Sequence, residues 1–534
     1  MPRAFNSAYL ESGMKANAFL PRGFGEPAAR FESVQRAAGR RVAPELLTVL
    51  REQNTALPPS EQRRVHIELL ERGGAALVVT GQQVGLFLGP LYTVYKAAGA
   101  VAIARALSLE TGLPCVPLFW LQTEDHDFEE VRRCLVPIDG APALELELDD
   151  ETALARRSLA DRTLPPGVTA LVDSLARALE GLPRAAEVID LLSRNYRPGI
   201  APGRAFAQVL GALFAEDGLL VLDPRCAAVS RLAAPLLRQA LLDSARIDAL
   251  LAGRGEALRA AGFAEQIQTR PGSPLPFFHL GDERGPRQRL SRRGELFEVQ
   301  GSGEAFDERA LLRILEEQPL RFSTSALLRP LLQDAILPTA VYVGGPAEVN
   351  YSAQVSCLYP LFGLSQPLLA ERPHFQLLPL PARRLLDKLS LKPSALELPR
   401  TALLEKLTGA DRATGEDPAP DQSWAAELEG RLQFLIASSA REPAVIKSAQ
   451  RLRASVRGAL ARLATRHARA RLERDAVLSD RLARLESWLR PGGAPQERVH
   501  SFISYAARVG VDEFRRLIVS AIDPFQPALR ELDL

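Results

Sequence analysis

Several things that would announce a class are scarce in this chain. Its 534 residues include four cysteines, Cys115, Cys134, Cys226 and Cys357, at no metal-ligand spacing. That excludes a structural zinc and points to buried thiols rather than a disulfide framework. Charge of one sign is missing too, since 66 basic and 64 acidic residues leave a formal net charge of +2. Neither nucleic acid nor membrane is therefore expected as a partner. No apolar run reaches the length of a bilayer span, and the opening MPRAFNSAYLESG lacks a signal peptide's apolar core, so the expected location is cytoplasmic. What remains, 46% apolar and 24% charged residues, is the composition of a soluble globular chain too long for one hydrophobic core.

The most informative stretch runs from 75 to 130. An apolar run at 75–79 reads as a strand buried on both faces, and Thr80-Gly81-Gln82-Gln83 ends it. Gly85 and Gly89 follow in a nearly uncharged loop, and apolar and small residues then recur at helical spacing from 91 to 107. A second buried run, 114–121, closes in Glu124-Asp125-His126-Asp127. Strand, glycine turn, helix and strand make a β-α-β unit, so both polar motifs fall at carboxyl ends of strands, where open α/β sheets bind ligands. Uncharged glycines let a phosphate or carboxylate approach the backbone, Lys96 can add a positive charge, and carboxylates beside an imidazole suit proton transfer or a metal. The glycine spacing matches neither the dinucleotide fingerprint nor the P-loop, and an acidic cluster can equally complement a helix dipole.

The same order recurs later. Thr339 to Val343 is a short apolar strand, Gly344-Gly345-Pro346 breaks it, and a helix carrying Asn350, Tyr351 and Gln354 follows. Gly344 and Gly345 are expected to face the 80–83 turn across one crevice. Ser323-Thr324-Ser325 is placed to cap a helix beginning at Ala326. The run GLLVLDP at 218–224 reads as a third buried strand, with Asp223 at its end. Strands are expected at 264–268, 276–280 and 295–299, and His279 reads as a structural histidine. Phe5 to Tyr9 and Phe19 to Phe24 read as core packing that could also fold over the ligand edge.

TGQQVGLFLGPLYTVYK at 80–96, followed by PLFWLQTEDHDFEEV at 117–131, closely resembles the cysteine ligase family of bacillithiol biosynthesis. GLLVLDP, the segment 323–354 and PQERV at 495–499 extend the resemblance over nearly the whole chain. It implies an α/β fold with a Rossmann-like core, laid out like class I nucleotidyl transferases, and a long helical coiled-coil arm used for homodimerisation. It also implies the job of joining L-cysteine to glucosaminyl malate. Amide formation in water is uphill, so carboxylate activation by ATP or ADP is expected, as an acyl-adenylate or acyl-phosphate. The paired-histidine signature and lysine-serine loop of class I synthetases are missing here. Two other readings stay open: a nucleotide-binding coiled-coil scaffold, and a nucleotidyl transferase acting on another small molecule.

In that picture His126 is the candidate base, oriented by Glu124, Asp125 or Asp127, and Asp125 or Asp127 binds an ammonium or Mg2+. Thr80, Gly81, Gln82, Gln83, Gly85, Gly89, Tyr92, Lys96, Gly344, Gly345, Asn350 and Tyr351 are the candidate nucleotide and substrate contacts. The expected domains are a core over 1–380 with insertions near 140–205 and 255–320, the arm over 381–490, and C-terminal helices over 491–534 that return to the core. The arm's seam includes Leu452, Val456, Leu460, Leu463, Leu478, Leu482, Leu485 and Leu489, at spacings that argue for pairing with the helix near Trp424 or with another subunit. Twelve basic residues against four acidic ones between Lys447 and Arg490 read as a solvated helix face.

Overall fold

The computed structural model describes residues 14–20, 23–149, 156–268, 270–398, 423–438, 442–474, 476–526 and 528–534, with a few isolated positions besides. These divide into two compact units, Met1–Phe375 with Glu497–Arg530, and Gln376–Gln496 with Glu531–Leu534.

In the first unit the chain forms strand β1 (Ala76–Gln82), helix α1 (Tyr92–Thr111), β2 (Cys115–Leu121), a hairpin of β3 (Arg133–Val136) and β4 (Leu144–Glu147), and β5 (Leu220–Leu222). Next come β6 (Phe277–His279), β7 (Arg287–Arg293), β8 (Leu296–Val299), β9 (Ala305–Asp307) and β10 (Phe322–Ser323). Helix α2 (Arg329–Ile336), β11 (Thr339–Gly344), helix α3 (Pro346–Val355) and β12 (Leu368–Glu371) complete the set used below.

Five strands pair in the order β12-β11-β1-β2-β5, all parallel. The apolar runs explain why. Leu77 and Val79 of β1 join Leu118, Trp120 and Leu222 in one core, while Ala76 and Val78 join Val341, Ile103 and Ala370 in another. Alternate side chains thus bury into opposite faces, which only a sheet covered on both sides permits. The chain leaves β1 towards β2 on one side and later places β11 on the other. A crevice opens at the carboxyl ends beside β1, where the order reverses.

A second, antiparallel sheet, β10-β6-β7-β8-β9, is built from the segment between β5 and α2. The strands expected at 276–280 and 295–299 are there as β6 and β8. The one expected at 264–268 is not a strand. The side chain of Gln354 takes its place as partner, accepting from the N–H of Gln266 and Ile267 and donating to the carbonyl of Ile267.

Phe5 and Tyr9 are buried, with Phe5 packed against Phe19 and Phe263. All four cysteines are free thiols, and Cys115 lies buried in β2 as expected. His279 is enclosed between the Gly285 carbonyl and the Ser323 hydroxyl. Among the described residues, no helix is long and apolar enough to cross a membrane.

In the second unit, helix Ser423–Ser438 lies against helix Pro443–Arg474, with Leu432 and Ala449 buried and Glu429 paired to Arg453 and Arg457. Helix Ala476–Leu489 buries Leu482, Leu485 and Leu489. The side chains of Leu460 and Leu463, expected in the seam, lie outside the described residues.

Candidate active site

One cavity of about 520 Å³ opens at the carboxyl edge of the parallel sheet. The turn after β1, the loop after β2, the start of α3 and the antiparallel insertion all contribute walls.

At its floor, Lys96 reaches back from α1. Its ammonium pairs with Glu348 and donates to the Gly81 carbonyl and the Gln82 side chain, both at 2.9 Å. Glu348 is the third residue of α3. Its carboxylate accepts from the Gly345 N–H at 2.8 Å and from the Tyr342 hydroxyl at 2.5 Å. Burial disfavours both charges of the pair. Lys96 falls below the usual lysine range, while Glu348, although burial raises it, ends lower because of the Lys96 ammonium. Arg329 of α2 adds a buried guanidinium, donating to the hydroxyls of Tyr342 and Tyr351 at 3.3 and 3.0 Å. The two glycine-turn motifs of the sequence are thus tied together through Lys96 and Glu348.

The wall beside β2 is acidic. Asp125 accepts from the Gln83 side chain at 2.8 Å, from the N–H of His126 at 2.7 Å, and from Arg287 at 3.4 Å. Burial raises its pKa, but Arg287 and these donors bring it below the ordinary carboxylate range. Arg287, on β7, is almost enclosed. It donates to His126 Nδ1 at 2.8 Å, to Ser323 Oγ at 3.0 Å and to the Thr324 carbonyl at 2.5 Å, and lies 3.8 Å from the centre of the Phe277 ring. Desolvation and the Arg287 charge push His126 down to about 4. Its ring is therefore neutral at pH 7, with Nδ1 accepting and the proton on Nε2. Glu124 is held by the Thr324 N–H and hydroxyl at 3.2 and 2.6 Å.

Of the residues expected at the site, Gln82, Gln83, Tyr92, Lys96, Glu124, Asp125, His126, Gly345 and Tyr351 line the cavity. The others stand off it. Thr80 is buried and donates to the Val343 carbonyl at 2.8 Å, holding β1 to β11. A methyl at Gly81 would meet the Trp120 carbonyl oxygen at 2.7 Å, and one at Gly85 would meet the Gly89 Cα at 3.0 Å. These glycines serve close packing of backbone on backbone, not approach of a ligand. The loop's amides point inward as well: Leu86 donates to the Val131 carbonyl and Leu88 to the Tyr196 hydroxyl. Gly344 packs against Glu348 and Tyr342, Asn350 lies 3.5 Å from Gln266, and Asp127 is exposed and caps the Glu130 N–H. Asp223 is half-buried, bonded to Thr123 and the Arg225 N–H.

The arginines were the residues that sequence reasoning missed. Arg270, Arg287, Arg289, Arg329, Arg372 and Arg498 all line the cavity, drawn from the chain before β6, from β7 and α2, and from the chain near Pro373 and Val499. For Arg329 and Arg498 the signal was present, since both sit inside the quoted motifs. Among the described residues, no three His, Cys, Asp or Glu side chains are grouped to hold a metal ion. Both oxygens of Asp125 and one of Glu124 are engaged by protein donors, so the donor set does not fit a preformed Mg2+ site.

A family model described as "Bacillithiol biosynthesis BshC, N-terminal Rossmann-like domain" matches residues 3–373, and one described as "Bacillithiol biosynthesis BshC, C-terminal coiled-coil domain" matches 433–529. Relatives named "Putative cysteine ligase BshC" cover most of the chain. That of Koribacter versatilis is 34% identical over 518 residues, 96% of this chain and 94% of its own. That of Solibacter usitatus is 33% identical over 497 residues, 91% and 90% of the two chains. That of Thermus thermophilus is 32% identical over 458 residues, 84% and 87%. With a Rossmann-like parallel sheet, a coiled-coil segment and matches of this length, the chain belongs to the BshC family of bacillithiol biosynthesis.

Proposed function

We propose that this protein is an amide-forming ligase that joins L-cysteine to the amine of glucosaminyl malate, with a nucleotide, ATP or ADP, activating the carboxylate. The observation that carries the reading is the single cavity shared by the turn after β1 and the loop after β2, joined by the 2.8 Å bond between Gln83 and Asp125. A scaffold has no use for a neutral imidazole and an ionised carboxylate held side by side by a buried arginine.

The residue roles follow from protonation. Asp125, kept ionised, binds an ammonium or accepts the proton that the attacking amine loses. His126, with Nδ1 occupied by Arg287, offers Nε2–H to an oxygen that gains negative charge during acyl transfer. It serves as base only if Arg287 releases Nδ1. Lys96, neutralised by Glu348, fixes the floor and presents little free charge. No step is assigned to Mg2+.

The test is direct. Purified protein given cysteine, glucosaminyl malate and either ATP or ADP should form a product heavier by one cysteinyl residue, read by mass spectrometry. Absence of that product with every nucleotide tried would sink the reading. In cells, His126→Ala should lower bacillithiol, and unchanged levels would remove His126 from the chemistry.

A further inference from the structure

Seven basic side chains line the cavity against five acidic ones. Most of the cations are spoken for. Lys96 is paired with Glu348, Arg287 lies against Asp125, Arg372 is bonded twice to Glu497, and Arg329 is held by tyrosine hydroxyls. Arg270, Arg289 and Arg498 are different. All three line the cavity, yet among the described residues none forms an ion pair or donates a side-chain hydrogen bond, and Arg270 and Arg289 lie near enough to repel one another. Asp248, the acidic residue on the same wall, has its carboxylate on the Gly272 N–H at 2.7 Å.

Strand geometry aims one of them. Arg287 and Arg289 are two apart on β7, so their side chains leave the same face. Both reach the ring of Phe277 on the neighbouring strand, at 3.8 and 4.7 Å from its centre. The Arg289 guanidinium is thus pre-positioned by an aromatic surface. Burial, and the like charges of Arg270 and Arg156, lower its pKa. Like charges gathered on a cavity wall without a counter-ion are unfavourable in the empty protein, and a ligand bearing two negative charges relieves that repulsion.

We propose that Arg270 and Arg289 form the receptor for a doubly charged anionic group of the substrates, a phosphate or a dicarboxylate, in place of the glycine turn after β1. The proposal deepens the ligase reading and rests on it for the word substrate. It assigns the anionic end to the antiparallel insertion and leaves the reacting groups to the wall of Asp125 and His126. The forked donors of arginine suit phosphate and carboxylate alike, so the source of the anion is a matter for experiment.

Isothermal titration of the full chain with pyrophosphate, ADP and malate, each alone, provides the test. In Arg270→Gln/Arg289→Gln the affinity for at least one probe should fall tenfold or more. Arg289→Lys should keep part of it, because it retains charge and loses the fork. A loss confined to pyrophosphate and ADP identifies a nucleotide phosphate, and a loss confined to malate identifies a dicarboxylate. Arg270 is exposed and Arg289 half-exposed, so the fold should survive, as far-UV circular dichroism would verify. Should the double variant misfold, Arg270→Gln alone should still weaken a probe at least threefold. Wild-type affinity in the folded variants, or no binding of any probe by the wild type, overturns the proposal. Weakened probe binding together with no cysteinyl product from the wild type would sink the ligase reading and leave the anion receptor standing.

Discussion

Arg287 donates from Nη1 to Nδ1 of His126 across 2.8 Å, joining residues 161 positions apart. A cation that hydrogen-bonds to an imidazole lone pair holds the ring neutral. Arg287→Gln should therefore let the His126 titration midpoint climb from about 4 by one unit or more. Long-range nitrogen–proton NMR of the imidazole reads this, and an unchanged midpoint would mean that burial alone sets the shift.

The same depressed pKa has a stability consequence. The unfolded chain takes up the proton near pH 6.5 and the folded chain near 4, so the unfolded state binds more protons between those values. Stability should be fully present above pH 6.5 and fall as pH drops towards 4, by roughly 3 kcal/mol for this one group. Urea denaturation at pH 7 and pH 4.5 should show a smaller drop for His126→Asn than for the wild type. Equal drops would show that other groups carry the acid sensitivity.

Lys96 is buried, and Glu348, half-buried at the cavity floor, is its counter-ion. Removing one leaves a lone charge in a dry floor. Lys96→Met should cost about 3–5 kcal/mol, and Lys96→Met/Glu348→Gln should cost clearly less than the single variant. Denaturant unfolding of the three proteins measures it. A double variant as unstable as the single would argue that packing, rather than unpaired charge, is what Lys96 supplies.

Gly85 discriminates between a phosphate loop and a packing turn. Its Cβ would press on the Gly89 backbone at 3.0 Å and lies off the cavity wall. Gly85→Ala should lose about 1–3 kcal/mol of stability by overpacking while the folded protein keeps wild-type nucleotide affinity. A tenfold weaker nucleotide Kd at unchanged stability would restore the phosphate role.

In the second unit, Phe434 is 75% exposed and Leu452 is 53% exposed, beside helices that already pair with one another. We propose that a second copy of the chain covers these side chains. Phe434→Glu/Leu452→Glu should then halve the mass seen by light scattering. A variant that keeps the wild-type mass would refute arm-mediated pairing.

Much of the fold could be read before the coordinates because its buried strands are unambiguous. The runs that became β1, β2 and β5 are apolar on both faces, and Gly344-Gly345 marks β11 by the change of period after it. The shared crevice followed from topology, because consecutive parallel strands must end on one edge. What stayed hidden depends on contacts distant in sequence. The run that became β7, RQRLSRR, shows no apolar alternation, since its arginines face a cavity and an aromatic ring instead of water or core. The glycines were visible but their use was not, because the Trp120 carbonyl against Gly81 comes from a neighbouring strand. Nothing local to the TEDHD motif reveals that Arg287 would set its protonation.

Arg372 and Glu497 meet in a bidentate ion pair although 125 residues separate them. His374 Nδ1 joins the same carboxylate at 2.9 Å. Everything between Gln376 and Gln496 therefore departs from and comes back to one spot on the Rossmann-like body. It is a cassette with adjacent ends, so joining Phe375 to Glu497 through a few flexible residues, and omitting Glu531–Leu534, which belong to the second unit, should yield a freestanding catalytic body. Cutting the chain after residue 375 should not, because the helices Ile503–Val509 and Val511–Ser520 belong to that body.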